Sequence, residues 1–138
     1  MNLQHLHNLN RQEILQGFAD DGVENLVVLT GDFHSATVGD LRADPYDLSA
    51  PVVGTEFMAT SISSSFPEAG RDAAPLILAF NPQIKFLDPE KGYTICEVTP
   101  TTWTATYRSL ANARDADSAI STVATFVVDS GAAGARPA

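Results

Sequence analysis

The run Leu26-Val27-Val28-Leu29 limits what this chain can fold into more than any other feature. Four consecutive apolar residues, two of them β-branched, are the pattern of a short strand covered on both faces. Such strands belong to parallel or mixed sheets flanked by helices. The segment before the run has helical character. Asn10-Arg11-Gln12-Glu13 has the capping-box form, and Ile14, Leu15 and Phe18 share one helical face. Asp20-Asp21-Gly22 reads as a stop, with Gly22 suited to a left-handed cap. The pattern predicts a helix over 10–20, then a buried strand, which is the order of a layered α/β arrangement.

The rest of the chain changes character. Residues 36–52, with Gly39, Pro45 and Pro51, read as loop, and 54–62 as a second strand. Ser63-Ser64-Ser65 through Pro75 is turn-rich, and 76–80 fits a short helix or a strand. A meander follows, with strands expected at 84–87, 93–99, 102–107 and 123–128. Trp103, Ala105 and Tyr107 alternate with Thr102, Thr104 and Thr106, which puts an apolar face opposite a hydroxylic one. The Gly/Ala/Pro-rich stretch 129–138 is expected to fray. The chain thus passes from an α/β-like start to an antiparallel meander, and is treated as one partial domain over 1–138.

Charge excludes some functions. Seventeen acidic residues against eight basic ones give a net charge of −9. This argues against nucleic-acid binding, which needs clustered Lys and Arg, and against docking on an anionic membrane. No apolar run approaches the roughly 18 residues of a spanning helix. No N-terminal segment has the form of a signal peptide. The acidity is concentrated between Asp20 and Glu56. Such a cluster reads first as a solvated face and second as a cation site, since carboxylates are hard oxygen ligands. Cys96, the single cysteine, rules out an internal disulfide and reads as a small core residue.

The strongest chemical feature is Gly31-Asp32-Phe33-His34 at the carboxyl end of the predicted strand. Ligands in open α/β sheets gather outside the carboxyl ends of strands. If the extended backbone continues, Asp32 and His34 point to one side, because strand side chains repeat every two residues. A carboxylate and an imidazole so placed suit zinc, iron or manganese, with calcium favouring more carboxylates. The competing reading is a turn cap and a satisfied histidine. His5-Leu6-His7 is a weaker metal pair at the terminus. Glu56, within a predicted strand, is either exposed or a partner of a histidine ligand. Thr60 to Ser65 is rich in hydroxyls, but the G-x-S-x-G elbow of a serine hydrolase is absent. Trp103, Tyr93 and Tyr107 read as sheet packing.

Val27-Val28-Leu29-Thr30-Gly31-Asp32-Phe33-His34-Ser35 resembles the strand-and-ligand element of the PhoD-like (D-type) alkaline phosphatases. Further matches keep the family's order. They are Gly54-Thr55-Glu56-Phe57 with Thr60-Ser61-Ile62-Ser63-Ser64, Asn81-Pro82-Gln83-Ile84-Lys85-Phe86, Gly92-Tyr93, Val98-Thr99-Pro100 with Trp103, and Thr125-Phe126-Val127-Val128. The resemblance runs from about Arg11 to Val128. It implies an α/β (α+β) fold, the C-terminal part of a calcineurin-like metallophosphatase β-sandwich, with one N-terminal helix and then mostly β-strands. It implies hydrolysis of phosphate monoesters and diesters at a metal centre of iron and calcium, with manganese or zinc as alternatives. Asp32 and His34 would be the last metal-ligand motif and Glu56 a partner behind the ligands. Gln83 stands where many relatives have His.

The family's upstream ligand motifs are not in this sequence. The resemblance therefore implies a C-terminal portion, inactive by itself, with a missing N-terminal half or self-association to complete it. Relatives are typically exported. The reading that competes with an enzyme is a non-catalytic β-rich segment completing a partner chain's sheet.

Overall fold

The computed structural model describes residues 3–138, with side chains from Asn10 onward. The described residues hold two helices and eight strands, the strands arranged in two four-stranded sheets: α1 (Leu3–Asp20), β1 (Leu26–Thr30), β2 (Ala36–Arg42), β3 (Val52–Met58), α2 (Glu68–Phe80), β4 (Ile84–Asp88), β5 (Gly92–Val98), β6 (Thr102–Leu110), β7 (Ile120–Asp129) and β8 (Arg136–Pro137). The mixed α+β architecture expected from the sequence is what forms.

The first sheet has the order β1-β3-β2-β4, with β1 and β3 parallel and the other pairs antiparallel. The second sheet is an antiparallel succession β5-β6-β7-β8. Their inner faces bury one core of Ala36, Val38 and Phe57 against Ala105, Tyr107, Phe126 and Val128. Phe86 packs on both Tyr107 and Phe126, with ring centroids 5.2 and 5.8 Å apart. Polar links tie the sheets together. Tyr107 Oη donates to the Thr37 carbonyl at 3.0 Å, and Lys85 Nζ to the Ala135 carbonyl at 2.6 Å. Burial pushes the Tyr107 phenol above its ordinary range. A smaller core on the outer face of the first sheet seats α1, with Leu15 against Leu41, Ala43 and Val53.

Several expectations need correction. Helix α1 runs through Asn10, which is interior and not a cap. Asn only weakens a helix interior, and the flanking Leu and Gln residues sustain it. Its buried residue is Leu15, while Ile14 is exposed. Gly22 does adopt the expected left-handed conformation, at φ 67°, and the Val23 N–H closes onto the Phe18 carbonyl. β1 is an edge strand, not a doubly covered one, and Leu29 remains 59% exposed.

The presumed loop 36–52 contains β2, a central strand. Gly39 and Asp40 make it look polar, but Asp40 pairs with Lys85 at 2.7 Å. The turn-rich reading of 63–75 gives way to α2, which carries Pro75 inside it and lies beside β4. Cys96 is exposed on β5 and not a core residue. The stretch expected to fray instead supplies β8, paired with Phe126 and Val127, and buries Ala135.

Candidate functional site

Strand β1 is held parallel to β3, with Val28 opposite Glu56 and Thr30 opposite Met58. The chain leaves the sheet after Thr30 through Gly31. Asp32 and His34 then take positive φ values of 76° and 59°. Left-handed backbone is uncommon outside glycine, though Asp and His tolerate it better than most residues. Each such residue costs about 1–3 kcal/mol and persists where its surroundings hold it. The extended conformation therefore stops at Thr30. The period-two argument for Asp32 and His34 sharing a side does not apply, and their relation is set by the loop.

Two anchors fix that loop. Phe33, between the two residues, packs edge-on against Phe66 at 5.5 Å. Phe66 is buried, and Gly70 of α2 lets its ring approach, since a Cβ there would come within 2.7 Å of it. On the strand side, Thr30 Oγ1 donates to Glu56 Oε1 at 2.7 Å. Asp32 is exposed and His34 half-buried, and neither side chain has a hydrogen bond or ion pair with another described residue.

The structure thus puts Asp32 and His34 on one five-residue turn, with Glu56 joined to the strand that feeds it. Glu56 bonds Thr30 and makes no hydrogen bond to His34. Among the described residues, no group of three or more His, Cys, Asp or Glu is close enough to hold a metal. The acids between Asp20 and Glu56 are dispersed into local roles. Asp20 accepts from Gln16, Asp44 from the Tyr46 N–H, and Asp47 from Ser49, which holds the Asp47 carboxyl below its usual range. The donor chemistry of Asp32 and His34 suits a metal, but two donors are fewer than the three or more protein ligands such sites use. The side chains of His5 and His7 lie outside the described residues.

Sequence reasoning missed the surroundings of Glu56. A cavity of about 340 Å³ opens on the outer face of the first sheet, between α1 and α2. Arg11, Phe33, Glu56, Ile77, Asn81 and Gln83 contribute to its lining. Asn81 closes α2, its Nδ2 donating to the Ile77 carbonyl at 2.7 Å. The one signal for this cluster was the Asn81-Pro82-Gln83 element, which has no periodicity of its own.

Comparison with known proteins bears on this arrangement. A family model described as PhoD-like phosphatase matches residues 2–107. Alkaline phosphatase D of Bacillus subtilis (strain 168) is 36% identical over 127 residues, covering 91% of this chain and 22% of that protein. A solved structure of PhoD aligns with a TM-score of 0.79 at 32% identity, covering 91% of this chain and 24% of the other. The chain spans less than a quarter of the length of these relatives.

Proposed function

The chain belongs to the PhoD-like phosphatase family, and from that premise we propose that Asp32 and His34 are two ligands of a metal centre that hydrolyses phosphate esters. One observation carries the reading. A carboxylate and an imidazole with no hydrogen bond or ion pair among the described residues stand on left-handed backbone at the carboxyl end of β1, in a loop anchored on both sides. Strained backbone held in place by packing is what a preorganised ligand turn requires.

Asp32 and His34 would contribute to holding a metal, which would supply a more acidic water and offset charge on the phosphate oxygens. The protein's own part is positional. Thr30 and Glu56 fix the end of the strand, Phe33 and Phe66 fix the turn, and that turn carries Asp32 and His34 as oxygen and nitrogen donors. Two ligands do not make a centre. The remaining ligands would have to be supplied from outside these residues, by further polypeptide or by a second copy, and the 138-residue chain alone would turn over little substrate. Iron and calcium are the metals the family resemblance implies, with manganese and zinc as alternatives. The substrate is a phosphate monoester or diester.

The test measures metal affinity and turnover of a chromogenic phosphate ester with iron, calcium, manganese or zinc added. Weak metal binding that disappears in both Asp32→Asn and His34→Ala is the expected result, with turnover close to background. Metal affinity unchanged in both variants would remove the ligand assignment. Robust turnover by the chain alone, abolished in His34→Ala, would overturn the need for further ligands.

A second reading rests on the edge of the first sheet. β1 has no partner on its outer side among the described residues, and Leu29 and Val98 are 59% and 66% exposed. Beside them a slot of about 310 Å³ lies between Val27, Val98, Trp103 and Val128, and the buried Trp103 Nε1 lacks an acceptor. An added strand would cover these groups, so the segment would serve to complete a partner's sheet. Sedimentation of the purified chain tests this. A monomer with no tendency to associate would count against it.

A further inference from the structure

We propose that the 340 Å³ cavity beside Phe33 binds the leaving group of the phosphate ester, an organic group with an apolar body and a distal hydrogen-bond donor. The proposal rests on the reading of Asp32 and His34 given above. The volume falls in the range of about 300–1,000 Å³ usual for small-molecule pockets. Its walls are largely apolar, with Phe33, Met58 and Ile77 among them; of its polar side chains Asp40 pairs with Lys85, and Thr37, Asn81 and Gln83 are hydrogen-bonded within the protein, which leaves Arg11 and Glu56 facing a ligand. That combination of an apolar lining with a small number of orienting groups distinguishes a ligand site from a hydrated groove.

Glu56 is the group that would orient a ligand. One carboxylate oxygen takes the Thr30 hydroxyl, and the other has no partner among the described residues. A carboxylate oxygen in such a place accepts an ammonium or hydroxyl donor strongly. Gly39, directly opposite Glu56 across β2 and β3, keeps the floor open. A Cβ at Gly39 would meet only the Gln83 carbonyl, at an ordinary 3.5 Å, so neither strain nor crowding demands glycine there. The position of the cavity supplies the link to chemistry. Phe33 is both its wall and the residue between the two candidate ligands, so the cavity adjoins the turn at that one side chain.

Amide chemical-shift titration of the 138-residue chain with tyramine tests the pocket without phosphate. Tyramine has an apolar ring and an ammonium donor, and 4-ethylphenol is the same body without the donor. Tyramine should move the amides of Gly39, Glu56 and Ile77. Gly39→Leu, which fills the floor, should weaken it by more than about tenfold, and Ile77→Trp should do the same from the helix side. Glu56→Gln should weaken tyramine about fivefold and leave 4-ethylphenol within about twofold. Equal binding by the filled variants, or shifts confined to other regions, would overturn the proposal.

The phosphate ester of tyramine, added with calcium, separates this inference from the one beneath it. Movement of both the cavity amides and those of residues 31–34 is expected. Movement at 31–34 alone would overturn the leaving-group pocket and leave the phosphatase reading intact. Movement in the cavity alone would count against phosphate binding at the turn and, with it, against the leaving-group assignment.

Discussion

The two sheets share one core but are built by different rules. In the second sheet every strand pairs with its neighbour in sequence. The inner positions Ala105, Tyr107 and Phe126 are buried, and Thr104 and Thr106 take the other face. In the first sheet the order is β1-β3-β2-β4, so β1 and β2 are separated by β3, which the chain reaches only after a further excursion. The helices α1 and α2 pack on the first sheet, whose outer face also holds the cavity. A meander leaves little freedom at its turns. In the crossed sheet the chain leaves β1 for a strand that is not its neighbour, and the turn with Asp32 and His34 makes that departure. Both sheets supply the shared core, and the candidate chemistry lies where pairing is not sequential.

The largest effect that would sharpen this contrast is expected at Tyr107, which is 1% exposed. Replacing a buried aromatic with alanine costs about 3–5 kcal/mol, so Tyr107→Ala should lower the urea midpoint far more than Tyr93→Ala on the neighbouring strand. Comparable losses in both would contradict the assignment of the core.

Next comes the ion pair that holds β2 to β4. Asp40→Ala leaves the half-buried Lys85 without its carboxylate and should cost about 1.5–3 kcal/mol, read from the same unfolding curves. An unchanged midpoint would mean that the central polar position of the first sheet carries no stability.

A smaller stability loss, about 1 kcal/mol, is expected for Thr30→Val, which removes the donor to Glu56. Here the informative readout is metal affinity at residues 31–34, which should fall by more than that stability change requires. Metal affinity unaffected by Thr30→Val would detach Glu56 from the turn.

The smallest effect concerns β8. Hydrogen bonds from Arg136 hold the Asp129 carboxyl below its usual value of 3.8. A group whose folded pKa is depressed contributes fully above the unfolded value and loses that contribution as pH falls through the folded one. The protection of the Ala138 amide, bonded to Thr125, taken relative to its intrinsic exchange rate, should therefore fall below about pH 3.8 in the native chain. It should be insensitive in that range in Asp129→Asn. Identical pH profiles would show that the pair does not hold β8.

Much of this could be read from residues alone, and the division follows from range. The strands at 84–87, 93–99, 102–107 and 123–128 were legible because alternation is a property of consecutive residues and their pairing is sequential. β1 was legible as a short apolar run of consecutive residues, and Gly22 announced the end of α1. What tertiary structure alone decided depends on partners distant in sequence. β2 is a strand despite Gly39 and Asp40, because Lys85, brought in on β4, neutralises the aspartate. α2 continues through Pro75, against local preference, because its half-buried face rests beside β4. Residues 136–137 are a strand because β7 offers them an edge. The turn at Asp32 and His34 belongs to the same group. Its left-handed backbone follows from the Phe33–Phe66 and Thr30–Glu56 anchors, which join residues tens of positions apart, and no local periodicity encodes such a join.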